Sequence, residues 1–157
     1  MTKVSADRLL IRPAIESDLP AAFNLMAELG YPDLTFARFA EIYSSVQKHP
    51  AMTLIVAEDD GEVVGLASIS RRPQLRLASD LITIDELVVA DNARGEGVGR
   101  ALLEHVKAMA GCSGARRLEL ETNRARESYR RRFYVKNGFT EADSAVMRID
   151  YGVPDDL

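Results

Sequence analysis

The chain has 157 residues, of which 46% are hydrophobic and 28% charged, with a formal charge of −4. That length suits one domain with its own core, and that balance excludes a disordered or fibrous chain. The acidity disfavours a general nucleic-acid binder, the apolar runs are too short to span a bilayer, and the single cysteine and two histidines show no metal-ligand spacing, so nucleic-acid, membrane and metal partners are not expected.

Met1 to Arg12 mixes Lys3, Asp7 and Arg8 with apolar residues, which is not the charged-then-apolar order of a secretory signal, and a cytoplasmic protein is expected. Arg8 to Ala14 reads as an opening strand. Ser17 or Asp18 before Leu19-Pro20 supplies a cap and a first-turn proline for a helix that carries Leu19, Phe23, Met26 and Leu29 and ends at Gly30. After a connector at Tyr31-Pro32-Asp33, Thr35 caps a second helix whose apolar positions Phe36, Phe39, Ala40, Tyr43 and Val46 share one face.

Met52 to Glu58 and Val63 to Ser70 are β-rich runs joined by Asp59-Asp60-Gly61-Glu62, where the Asp-Gly pair favours a hairpin turn. A polar loop follows from Arg71 to Ser79, then a strand from Leu81 to Val89. Val98, Leu102, Leu103, Val106 and Met109 mark a helix that Gly111 and Gly114 punctuate. Leu118 to Thr122 is a further strand, Arg126 to Asn137 a helix, and the residues from Phe139 to about Tyr151 two short strands. The order β-α-α-β-β-β-α-β-α-β-β predicts an α/β (α+β) fold, a mixed, mostly antiparallel sheet flanked by helices, as a single domain over residues 1–157.

The stretch from Leu87 to Arg100 runs from a strand through a glycine-rich turn into a helix start. Free amides and the positive dipole end make a helix N-terminus an anion site, and missing Cβ atoms let a bulky phosphate approach. Gly-Lys-Ser/Thr is absent, which excludes a P-loop. A dinucleotide fingerprint through Gly95 and Gly97 places Arg100 where helix–strand packing needs a small residue. Although Glu119 lies where that fingerprint asks for an acid, the hairpins before the turn are not repeated βαβ units.

Arg94-x-x-Gly97-x-Gly99 instead resembles the Arg/Gln-x-x-Gly-x-Gly/Ala signature of the GNAT superfamily of acetyl-coenzyme A-dependent N-acetyltransferases. The resemblance extends to Arg8–Ala14 with Glu16–Pro20, to the Val56–Gly65 hairpin, and to Phe133-Tyr134-x-x-x-Gly138-Phe139, and so covers nearly the whole chain. It implies acetyl-coenzyme A as cosubstrate and direct attack by the amine of a small molecule, peptide or protein. It also implies that amides at Arg94, Gly95, Gly97, Val98, Gly99 and Arg100 hold the pyrophosphate. The pantetheine arm would pair with the backbone of Leu87, Val88 and Val89, at an edge the family opens with a β-bulge, and Asn123 matches a position that often contacts the coenzyme.

Tyr134 is the implied general acid and Glu86 the implied base, directly or through water, while strand alternation turns Asp85 to the opposite face. For each of these, a packing, turn-capping or surface role is the alternative. Arg124, Arg126, Arg130, Arg131 and Arg132 form a basic cluster that reads as a solvated face or as a contact for the coenzyme's 3′-phosphate or another polyanion. A module that binds acetyl-coenzyme A without turnover is the rival from another class. The loops Gly30–Thr35 and Arg71–Asp80, which would line the acceptor, carry no substrate code. Homodimers are common in the family, and nothing in the sequence decides that state here.

Overall fold

The computed structural model describes residues 6–31 and 33–152, in two compact units, Met1–Thr122 and Asn123–Leu157. Pro32, in the predicted connector, lies outside the described residues. The first unit is a five-stranded sheet in the order β1 (Leu9–Pro13), β2 (Met52–Asp59), β3 (Glu62–Gln74), β4 (Ser79–Val89) and β5 (Arg117–Leu120). The first four strands pair antiparallel with their neighbours and β5 pairs parallel with β4, so one crossover is needed. Helix α3 (Val98–Cys112) carries it, while α1 (Leu19–Glu28) and α2 (Phe36–Lys48) lie between β1 and β2 in the chain.

Alternation along β3 sorts the two faces. A Cβ on Gly65 would lie 2.9 Å from Val98 Cγ1 and 3.0 Å from Leu102 Cδ1, so glycine is what lets α3 sit this close to the sheet. Val98, Leu102, Leu103 and Val106 are fully buried on that side. The neighbouring residue, Leu66, points the other way and packs with Val56, Val88, Ala22, Leu25, Met26 and Tyr43. The second face is therefore the one covered by α1 and α2.

Several turns form where local chemistry asks for them. Asp60 at φ 51° and Gly61 at φ 83° make the tight β2–β3 hairpin, and Thr35 Oγ accepts from the Arg38 amide at 3.3 Å to cap α2. Asp18 behaves differently from the predicted cap. Its carboxylate is buried, takes Arg12 through two hydrogen bonds of 2.7 and 2.9 Å, and accepts the Ile15 amide at 2.8 Å. Charge-assisted bonds to a guanidinium outcompete a neutral helix amide for the same oxygens, and they hold the Asp18 carboxyl below its ordinary pKa. Arg12 also reaches Glu58 at 2.7 Å, and the Tyr43 hydroxyl donates to the Ile15 carbonyl at 2.6 Å, so β1, β2, α2 and the start of α1 are tied together.

The predicted loop from Arg71 to Ser79 is mostly strand. Cross-strand pairs Arg71↔Ile82, Arg72↔Leu81, Pro73↔Asp80 and Gln74↔Ser79 carry β3 and β4 past the polar sequence to a short turn at Leu75–Leu77. Ladder bonds satisfy the backbone there whatever the side chains are, and Arg71 adds a 2.6 Å pair with Asp80.

In the second unit the predicted helix from Arg126 to Asn137 is two single turns, α4 (Glu127–Arg130) and α5 (Phe133–Lys136), separated by Arg132 in the left-handed region at φ 60°. The break lets Phe133 and Tyr134 meet edge to face at 5.0 Å, with Phe139 at 6.0 Å from Tyr134, and these contacts oppose the cost of that backbone. The two strands predicted after Phe139 are not formed among the described residues. Met147, Ile149 and Tyr151 alternate as a strand would, but they are 78–90% exposed, and alternation makes a strand only where a neighbouring backbone takes up its amides and carbonyls. The predicted class nonetheless holds as a mixed, mostly antiparallel sheet flanked by helices, in the predicted order through β5.

Candidate active site

Strand β4 changes character in its middle. The register pairs Ser68 with Glu86 and Ile69 with Ile84, so Asp85 is an extra residue, a β-bulge. The parallel pairing with β5 runs from Leu81↔Arg117 to Ile84↔Leu120 and stops there. Beyond the bulge, Glu86 to Val89 are bonded to β3 only, through Val89↔Gly65. The backbone of Leu87, Val88 and Val89 thus presents an open edge on the β5 side within the first unit, the kind that an extended chain can join.

The strand leads directly into the glycine turn. A short turn at Asp91–Ala93 follows, and the Asp91 amide is held by Glu28 at 3.0 Å. Gly95 at φ 76° and Gly97 at φ 84° occupy the region that disfavours a Cβ, and the space beside both is open. The first helical bond of α3 is from the Ala101 amide to the Gly97 carbonyl, which leaves the amides of Val98, Gly99 and Arg100 without intrahelical acceptors at the positive end of the helix dipole. The Arg94 amide is in part engaged, donating to Asp91 at 3.4 Å, and its side chain pairs with Asp91 at 2.6 Å. Glu96 is the one carboxylate between the glycines. Its Oε2 is buried with no hydrogen-bond partner among the described residues, a cost of about 1–3 kcal/mol at such a turn.

Glu86 is half-buried and stands opposite Ser68, on the face covered by α1 and α2. Burial, and then the neighbouring charge of Asp85, push its carboxyl above the ordinary value. Asp85 does not turn away as simple alternation predicts. Burial pushes its carboxyl above the ordinary value, opposed by the Ser70 side chain and then by the charge of Arg72, and both of these belong to the Ser68 row of β3. The extra residue shifts the alternation by one step and puts Asp85 and Glu86 on one face. Nothing in the local sequence announces this, because a bulge is a property of two strands in register.

In the second unit, Tyr134 is half-buried between Phe133 and Phe139. Burial raises its phenol, against the pull of Arg126 and Arg131, so it keeps its proton at neutral pH. Asn123 is committed to a turn, its Oδ1 accepting from the Ala125 amide at 2.8 Å while its carbonyl accepts from Arg126 at 3.0 Å. Within the arginine cluster, Arg124 pairs with Glu141 at 2.7 Å and Arg131 lies 5.3 Å over the Phe133 ring. Among the described residues no three His, Cys, Asp or Glu side chains gather as a metal site, and no helix is long and apolar enough to cross a membrane. A crevice of about 180 Å³ lined by Pro50, Ile69, Arg71, Met109 and Ser113 lies at the far end of α3 and forms no part of this site.

The family follows from comparison with known proteins. Residues 16–139 match the Acetyltransferase (GNAT) family. The chain belongs to the GNAT family of acetyltransferases. It is 30% identical over 132 residues to an aminoalkylphosphonate N-acetyltransferase of Salmonella typhimurium, covering 84% of this chain and 85% of the relative. To an aminoglycoside N(6′)-acetyltransferase of Klebsiella aerogenes it is 31% identical over 141 residues, 84% of this chain and 90% of the other. An acetyltransferase of Trypanosoma brucei shares the fold at a TM-score of 0.75 and 28% identity, over 91% of this chain and 99% of that one. This GNAT enzyme is an N-acetyltransferase, and its glycine turn falls inside the matched span.

Proposed function

We propose that this GNAT enzyme takes acetyl-coenzyme A as its cosubstrate and acetylates the amine of a small molecule, with residues 1–157 acting as one catalytic domain. The family match crosses both units, from 16 to 139, which supports the single-domain reading. Two relatives are named for small-molecule amines, which supports the acceptor class. The observation that carries the coenzyme assignment is the open space at Gly95 and Gly97 in front of the unpaired amides of α3.

In this reading the amides of Gly95, Gly97, Val98, Gly99 and Arg100, with Arg94 contributing less, hold the pyrophosphate. The free edge of Leu87, Val88 and Val89 pairs with the pantetheine arm, and Asn123 offers its remaining amide hydrogens to the coenzyme. Acetyl-coenzyme A, when bound, supplies an activated acyl group and a thiolate leaving group. Glu86 takes the proton of the incoming ammonium, directly or through water, since only the neutral amine has a lone pair to give. Tyr134 delivers a proton to the departing sulfur, a role its protonated phenol suits.

Valine at Gly97 or Gly99 tests the binding site. Gly97→Val adds bulk and also strains a left-handed residue by about 1–2 kcal/mol, whereas Gly99 is not among the positive-φ glycines, so Gly99→Val adds bulk without that strain. Both should lower coenzyme affinity by at least about tenfold, equivalent to about 1.4 kcal/mol, in titration calorimetry. An unchanged affinity in folded Gly99→Val would place the pyrophosphate elsewhere.

A further inference from the structure

Asp85 has no part in the reading above, yet the bulge sets its carboxylate on the same face as that of Glu86. The two differ in surroundings. Asp85 is the more exposed of the two, and although burial pushes its carboxyl above the ordinary value, the Ser70 side chain and the cation of Arg72 pull it back toward its charged form. Glu86 is half-buried, and the influences that shift it are burial and the charge of Asp85.

We propose that Asp85 is a positioning residue for the reaction: as the residue the bulge inserts, it sets a fixed negative charge beside Glu86 and so makes Glu86 a stronger base than a lone strand carboxylate. This rests on the assignment of Glu86 as the base. Two neighbouring carboxyls do not ionise independently, and the one with donors and solvent loses its proton first. Asp85, the more exposed of the pair and the one whose charge Ser70 and Arg72 favour, is that one. Glu86 then ionises against an existing charge, which burial amplifies, and its proton affinity moves toward that of the ammonium it must deprotonate.

Other charges are placed so as not to cancel this. Arg72, on β3, acts on Asp85 and is not among the influences on Glu86. On the helices covering this face, Glu28 of α1 is engaged by the Asp91 amide and the Tyr43 hydroxyl of α2 by the Ile15 carbonyl. Arg38, Glu41 and Lys48 are the other charges of α2, and the influences that raise Glu86 are burial and Asp85. The bulge thus does two things at one residue, ending the pairing with β5 and supplying the charge.

The direct test is a carboxyl-carbon NMR titration of Glu86 in the full chain, for the parent, Asp85→Asn and Asp85→Glu, alongside turnover against pH. In Asp85→Asn the Glu86 midpoint and the acid limb of turnover should both move to lower pH and the plateau rate should fall, with coenzyme affinity unchanged. Asp85→Glu, which keeps the charge, should stay near the parent. Asp85→Ser, also uncharged, serves if the asparagine variant does not fold. A Glu86 midpoint that stays put in the neutral variants overturns the proposal. A midpoint that moves without the acid limb following leaves Asp85 without a role in the reaction and overturns it equally. Failure of the base assignment itself reads differently, as parental turnover in Glu86→Gln.

Discussion

Tyr134→Phe should lower turnover by roughly 10²-fold while leaving coenzyme affinity and melting temperature close to the parent. Phenylalanine keeps the ring and with it the edge-to-face contacts to Phe133 and Phe139, so the exchange removes the hydroxyl and little packing. General acid catalysis is worth about 10²–10⁴-fold. A thiolate leaves fairly well unaided, which sets the expectation at the low end. Loss of one ordinary hydrogen bond costs only about 0.5–1.5 kcal/mol of stability, so rate and stability separate cleanly. The measurement is turnover at saturating acetyl-coenzyme A with chemistry rate-limiting, and a near-parental rate would assign Tyr134 to packing alone.

The second large effect is expected of Glu86→Gln, a loss of about 10²-fold or more that depends on pH. Glutamine is close in shape but cannot accept the ammonium proton. At low pH the acceptor is almost wholly protonated and the defect should be largest. As pH rises toward the amine's own pKa, free amine accumulates and the defect should shrink. In the parent the proposed base must be ionised, so turnover should rise with pH through the midpoint of Glu86, which burial and Asp85 set above the ordinary carboxylate value. A glutamine variant with the parental rate and profile would leave the proton to solvent.

Signals carried by a few adjacent residues proved readable from sequence. The Asp60-Gly61 hairpin, the Thr35 cap and the glycine turn leading into α3 each follow from local backbone preference, and each appears in the structure. What was not readable depends on pairing between distant segments. The bulge at Asp85 exists only in the register of β4 against β3, and the polar residues Arg71 to Gln74 are strand because β4 lies beside them. Asp18 reads as a possible helix cap in the sequence, but its carboxylate is spent on Arg12 and the Ile15 amide, an arrangement that depends on how the chain turns at Ile15. In the second unit, the helical period of residues 126–137 gave way at Arg132 to the contacts of three aromatic rings. The candidate site divides in the same way: the glycine turn is a local motif, whereas the shared face of Asp85 and Glu86 is not.

The most direct test of the central claim is release of free thiol from acetyl-coenzyme A by the purified chain across a panel of small-molecule amines, with mass spectrometry of each amine. An aminoalkylphosphonate and an aminoglycoside belong in that panel, as the acceptors for which two relatives are named. The account predicts amine-dependent thiol release, with the added mass of one acetyl group on the amine in equal amount. Tight binding of acetyl-coenzyme A with no amine-dependent release from any member of the panel would contradict it.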